Sequence, residues 1–266
     1  MQPTVSNIRI YPIKSLDPVE QQEVEIGIHS LKNDRIFAML ADDERWVNGK
    51  RTGRINQLQS TFDLPNNVIK LTERGKNDWQ SFDLHADNPE LNGYLQDFFK
   101  MKLHLVHNDA GELLDVPKRS SLSIVSTASL ASLQHDMPTY SLEDLRLRFR
   151  TNIEISGVEA FWEENLFHKP QTGVRFKMGE VEMIGMTPRA RCNVPPRNPQ
   201  TGETDKTFVK AMMKSRGESL PENSTLDQFG NLYHLAVDIY LPPTEKGKTI
   251  KVGDSLEIME TISLVE

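Results

Sequence analysis

The stretch Arg35-Ile36-Phe37-Ala38-Met39-Leu40 follows its opening arginine with five apolar residues in a row, so neither face is left for water. It reads as a strand covered on both sides. Outward from it, strand-length apolar or alternating runs recur at Ser6–Tyr11, Gln22–Ile26, Val68–Thr72 and Gln80–Leu84, each bounded by Asn, Asp, Gly or Pro. Between the start and Val106 only Pro89–Phe99 reads as a helix, with Leu91, Tyr94, Leu95 and Phe98 on one stripe and proline in the first turn.

Asn108–Ser121, containing Asp109, Gly111, Pro117, Lys118 and Arg119, carries the turn and charge bias of a crossing between units, so we expect domains at 1–108 and 109–266. Beyond it, Leu122–Val125 is a buried strand. Ser126 or Thr127 then caps a helix striped with Ala128, Leu130, Ala131 and Leu133, which ends near Pro138. Ser141 with Asp144 forms a short capping box. Strands are expected at Asn152–Ser156, Val174–Met178, Val181–Met186, Leu232–Tyr240 and Ser255–Met259. The polar run Asn193–Asp205 is expected as an exposed loop leading to a helix at Thr207–Lys214. Regular βαβ alternation is missing, and no GxGxxG or P-loop pattern occurs. The expected fold is therefore mainly β (α+β), with two β-barrel-like units and peripheral helices.

The chain of 266 residues carries a net charge of −7, which argues against broad nucleic-acid binding but leaves room for a local basic pocket suited to a small anion. No charged, apolar leader pattern opens the sequence and no run approaches membrane-spanning length, so we expect a cytoplasmic protein with no membrane partner. A single cysteine excludes an intramolecular disulfide framework and a self-contained iron–sulfur cluster. That cysteine, Cys192, sits in Pro188-Arg189-Ala190-Arg191-Cys192-Asn193-Val194-Pro195-Pro196. Fixed positive charge beside a thiol favours the thiolate, which is both a nucleophile and a soft metal ligand.

Several separated motifs stand in order: Tyr11-Pro12-Ile13-Lys14-Ser15, Asn33-Asp34-Arg35, Phe149-Arg150-Thr151-Asn152-Ile153 before Ser156-Gly157, Arg191-Cys192, and Ile250-Lys251-Val252-Gly253-Asp254. Together they resemble the MOSC family in its two-part form with an N-terminal MOSC-associated β-barrel domain, as in the mitochondrial amidoxime-reducing component and its bacterial relatives. The resemblance runs from Ile8 to Ile258. It implies a molybdenum cofactor (molybdopterin) in a cleft between two barrels, with Cys192 as the metal ligand and catalytic residue. Lys14, Ser15, Arg35, Arg51, Ser126, Thr127, Arg150, Asn152 and Arg191 match the family's cofactor-binding positions. They are suited to the work, since arginine grips phosphate with a bidentate fork and lysine acts as a point charge. A helix opened by Ser126-Thr127 would add amides and dipole to anion binding. The reductases of the family read Cys-Ser-Arg-Cys where this chain has Arg189-Ala190-Arg191-Cys192.

The implied activity is an oxidoreductase that reduces N-hydroxylated or N-oxide substrates by oxygen-atom transfer, with electrons from a separate flavin or iron–sulfur protein. No haem, flavin or iron–sulfur cluster is expected in this chain. Two other readings stand beside it: a persulfide-carrying sulfur donor built on Cys192, and a non-catalytic cofactor-binding module. Simpler readings compete residue by residue. Cys192 alone is a buried, inert cysteine, Lys14, Arg35 or Arg150 alone is a surface ion pair, and Ser126-Thr127 is only a helix cap. The seven histidines form no zinc spacing. Glu159, Glu163 and Glu164 read as solvated surface, and Phe208, Met212 and Met213 as core or interface.

Overall fold

The computed structural model describes residues 2–110, 113–114, 121–222 and 224–264. Of the crossing segment, Gly111, Pro117, Lys118 and Arg119 lie outside the described residues. The elements in chain order are β1 (Thr4–Ile10), β2 (Val19–Gln21), β3 (Glu23–Glu25), β4 (Phe37–Ala41), β5 (Leu58–Asp63), β6 (Val68–Glu73), β7 (Gln80–Asp83), α1 (Pro89–Phe99) and β8 (Leu103–His107). They continue with β9 (Leu122–Ser126), α2 (Thr127–Asp136), α3 (Leu142–Phe149), β10 (Ile153–Ser156), β11 (Thr172–Met178), β12 (Val181–Ala190), α4 (Phe208–Glu218), β13 (His234–Tyr240), β14 (Thr249–Lys251) and β15 (Leu256–Ser263). Among the described residues the architecture is mostly strands with four helices, an α+β fold. No helix among the described residues is long and apolar enough to cross a membrane.

Eight strands form one sheet in the order β15-β11-β12-β13-β9-β10-β1-β2. Only β9 and β10 run parallel, and the helical pair α2–α3 supplies the crossover that a parallel pair requires. The sheet curls until the start of β1 meets the residues before β15: Val5 N–H donates to Asp254 O at 2.9 Å, Gly253 N–H to Val5 O at 2.8 Å and Leu256 N–H to Pro3 O at 2.9 Å. Ile8, Ile10, Ile124, Ile153, Phe176, Met183, Val237 and Ile239 fill the barrel-like interior.

β1 and β2 precede residue 108 and yet belong to this sheet, and β3 pairs with β14. The other core gathers Ile13 to Leu105, with β4 on β8, the meander β5-β6-β7, and α1 contributing Leu91, Leu95, Phe98 and Phe99. Asn88 caps α1 by accepting from Glu90 N and Leu91 N, and Pro89 occupies its first turn. A third cluster lies where α2, α3 and α4 meet: Leu130, Leu133, Leu145, Phe149, Phe208 and Met212.

Four strands are absent from the sequence reading: β2, β5, β8 and β14. β2 and β14 have three residues each and exist only through partners far away in sequence. The solvated-surface expectation holds for Glu159, which is exposed. It is corrected for its two neighbours. Glu163 is 1% exposed and accepts from the Ser129 hydroxyl at 2.9 Å, while Glu164 pairs with buried Arg216. The short 3-10 turn Trp162–Leu166 folds back against the sheet and carries both inward.

Candidate functional site

β12 runs four residues beyond its expected end, and its register with β13 slips on either side of Pro188, between Gly185 and Thr187 and between Pro188 and Ala190. Proline cannot donate to the ladder, so a strand that contains it bulges. The slip re-aims the chain, and a bond from Arg191 N–H to Tyr233 O at 3.0 Å holds the turn-off. Arg189, Ala190, Arg191 and Cys192 thereby reach one cavity of about 250 Å³. Phe149, Arg150 and Asn152 enter from the end of α3, and Lys14, Ser15, Arg35 and the turn 48–50 enter from the first unit. Among the described residues the wall carries seven cationic side chains, Lys14, Arg35, Lys50, Arg148, Arg150, Arg189 and Arg191, against one carboxylate, Asp238.

The cations differ in how they are held. Arg189 pairs with Asp238 and Arg148 with Asp144. Arg35 pairs with Asp34 and also donates to Asn152 Oδ1 and Arg150 O, both at 3.1 Å. Lys14 Nζ donates to Leu113 O at 2.9 Å and lies 6.0 Å from the Trp46 ring centroid. Arg150 and Arg191 have no carboxylate partner among the described residues. Arg150 donates to Leu16 O at 2.8 Å, and its guanidinium carbon lies 4.1 Å from the centroid of the Tyr11 ring. Arg191 donates to Phe149 O, lies over the Phe149 ring at 5.0 Å, and has a buried Nε without a partner. Burial, then the nearby charge of Arg189, pulls the Arg191 guanidinium down to about 10, so it stays cationic at neutral pH. Cys192 is exposed, with its thiol free.

Ser15, Arg35 and Arg150 all take left-handed backbone conformations, with φ of 74°, 52° and 53°. Non-glycine residues adopt this region at a cost of about 1–3 kcal/mol, and such strain gathers at functional sites.

The MOSC N-terminal beta barrel domain model matches residues 2–115, and the MOSC domain model matches residues 103–257. The chain belongs to the MOSC family. It is 23% identical to human molybdenum cofactor sulfurase over 90% of its own length, and it spans 31% of that protein. It is 24% identical to mitochondrial amidoxime reducing component 2 of Rattus norvegicus, covering 94% of this chain and 82% of the relative. Among solved structures, the YUAD protein from Bacillus subtilis aligns over 97% of this chain and 96% of that one at 10% identity, with a TM-score of 0.41.

Of the residues expected at the site of this MOSC protein, Lys14, Ser15, Arg35, Arg150, Asn152, Arg191 and Cys192 line one cavity. Three do not. Ser126 is buried and spent on capping α2, where it accepts from Ser129 N at 3.0 Å. Thr127 donates to Glu154 Oε1 at 2.7 Å. Both stand at the far end of β9 from the cavity residue Leu122, about 13 Å along the strand. The opening residues of α2 are thus not part of the cavity wall. Arg51 is turned from it by a two-point bond to Asp43, at 2.9 and 3.0 Å, although its neighbours Asn48, Gly49 and Lys50 line the wall. Asn152 is present but spent, accepting from Arg35 and Ser123 N and donating to Arg9 O at 3.1 Å. It fixes Arg35 rather than offering itself to a ligand.

Arg148, Arg189 and Asp238 belong to the wall and were missed. Alternation along β13 could have indicated Asp238, but the left-handed Ala236 (φ 73°) breaks that period. The donor set fits a sulfur-ligated, phosphate-bearing cofactor. Among the described residues it offers an accessible thiol, two guanidiniums free of carboxylates, and an orphaned buried N–H on one of them.

Proposed function

We propose that this MOSC protein is a molybdenum-cofactor oxidoreductase that reduces N-hydroxylated or N-oxide compounds by oxygen-atom transfer. The observation that carries the reading is the exposed Cys192 thiol on the wall of a cavity in which Arg150 and Arg191 have no carboxylate partner among the described residues. The relative named for amidoxime reduction covers most of both chains, which favours this reaction class over sulfur transfer. When bound, the cofactor supplies the two-electron redox chemistry of the N–O bond, and the protein contributes orientation and exclusion of competing reactions.

In this reading the Cys192 thiolate would ligate the metal, and Arg150 and Arg191 would hold the phosphate. The first unit closes the cavity with the turn 48–50. Overall, two electrons and two protons remove the oxygen as water, leaving N–H from an N-hydroxylated compound and the free amine from an N-oxide. The electrons come from a separate flavin or iron–sulfur protein, and the substrate is a small N-hydroxylated molecule.

Metal analysis of protein made in cells that synthesise the cofactor should give about one molybdenum per chain, with turnover of a simple amidoxime on an artificial donor. Cys192→Ala should abolish turnover while the circular dichroism spectrum is unchanged. Undiminished turnover in a metal-loaded C192A variant rejects the ligand assignment. Cyanide-labile sulfur in place of metal moves the protein to the persulfide-carrier reading, and metal without turnover moves it to a binding module.

A further inference from the structure

We propose that Tyr11 is a positioning residue that stands where a carboxylate counter-ion would otherwise be, fixing the Arg150 guanidinium without neutralising it and so leaving its charge for an anionic ligand in the cavity. Tyr11 is fully buried at the end of β1, with 0% exposure. Two guanidinium carbons approach its ring, Arg150 at 4.1 Å and Arg35 at 4.6 Å from the centroid. These two like charges are treated differently. Arg35 is compensated by Asp34. Arg150 makes one side-chain hydrogen bond among the described residues, to the Leu16 carbonyl at 2.8 Å, and no ion pair.

A cation drawn out of solvent, as half-buried Arg150 is, is ordinarily paired with an acid. An aspartate beside Arg150 would hold it equally firmly but would cancel its charge and repel an incoming anion. A ring face attracts a cation through its quadrupole while carrying no net charge, so it fixes without cancelling. The backbone agrees with this division of labour. Arg150 occupies the left-handed C-cap of α3, where the helix dipole favours positive charge, and its N–H closes the helix on Arg146 O at 2.9 Å. The Tyr11 hydroxyl lies 3.4 Å from Thr151 O, at the weak limit of a hydrogen bond, so the ring rather than the hydroxyl is the working part. That the physiological anion is a cofactor phosphate rests on the function proposed above; the role of the ring does not.

The test titrates inorganic phosphate into the full chain, made in cells blocked in cofactor synthesis, by calorimetry. Tyr11→Phe should bind within twofold of wild type, and Tyr11→Leu about tenfold more weakly although the site stays filled. Phenylalanines of increasing fluorination at position 11 keep the ring shape and weaken its quadrupole. They should lower affinity stepwise, and they decide the question if the leucine variant does not fold. Wild-type affinity in a folded Tyr11→Leu, a flat response to fluorination, or no phosphate binding by the wild type overturns the assignment. Molybdenum content of the wild type from cofactor-making cells reads the functional proposal separately. Metal absent with the graded phosphate series intact sinks that proposal and leaves the role of Tyr11 standing, and metal present with a flat series does the reverse.

Discussion

Glu163 has one carboxylate oxygen on the Ser129 hydroxyl and the other buried without a partner. Burial pushes its carboxyl up from the ordinary 4.5 to about 7, against the smaller opposing pull of Ser129. The folded state thus holds this proton more tightly than the unfolded chain does. The stabilisation is complete below about pH 4.5 and is lost as pH rises through about 7, a change on the order of 3 kcal/mol. Thermal unfolding scans should show a melting temperature that declines between pH 5 and 8, and Glu163→Gln should flatten the decline and raise stability at pH 8. A slope unchanged in the variant assigns the dependence elsewhere. Nothing in the spacing of Glu159, Glu163 and Glu164 distinguishes the buried member, because Glu163 and Glu164 are oriented by a 3-10 turn rather than an α-helix and Glu159 lies before it. Cys192, Arg150 and Arg191 were expected together from their chemistry and motif context, and the structure places all three on one cavity wall. Ser126 and Thr127 stand off that wall, and the sequence could not separate the two roles because a cap and an anion site ask for the same residue types.

At the scale of the element, the loop after Cys192 is strapped to both units. Arg148 Nη1 donates to Pro195 O at 2.8 Å and Arg197 O at 2.9 Å, and Arg197 Nε donates to Gly49 O at 2.8 Å. Gly53 and Gly202 meet backbone to backbone. A Cβ on Gly202 would lie 2.0 Å from Gly53 O, and its φ is +77°. Gly202→Ala should therefore cost about 2–4 kcal/mol in denaturant melts and speed proteolysis within 193–205. Arg148→Met keeps most of the buried stem but strands two carbonyls, and it should lower bound metal per chain more than it lowers turnover per metal. Equal metal retention in that variant counts against the loop as a wall of the site. The loop itself was readable from Asn198-Pro199 and Thr201-Gly202. Its anchoring was not, since the partners Gly49, Gly53 and Arg148 lie far off in sequence. The β12 extension was hidden for a related reason, as proline within a strand signals an end unless a bulge absorbs it.

Across the whole molecule, the strand pattern announced a β-rich chain, but the crossing near residue 108 does not separate the hydrogen bonding. β1 and β2 are two of the eight strands in the larger sheet. A fragment spanning 109–266 lacks them and leaves Ile153 and Ile155 without the cover of Val5 and Ile8. Expressed alone it should be unfolded or insoluble, and co-expression with 1–108 should recover a folded complex by gel filtration and circular dichroism. A monomeric, cooperatively melting 109–266 fragment would show that the pairing is dispensable.

The seam between Val5 and Asp254 also sets an order of events during synthesis. β1 leaves the ribosome well before Asp254 and must stay unpaired along this edge until almost all the intervening residues have followed. Such long-range closure makes folding slow, on the order of milliseconds to seconds, and leaves an apolar ribbon open to other chains in the meantime. Nascent copies of this protein should depend on chaperones that shield that ribbon.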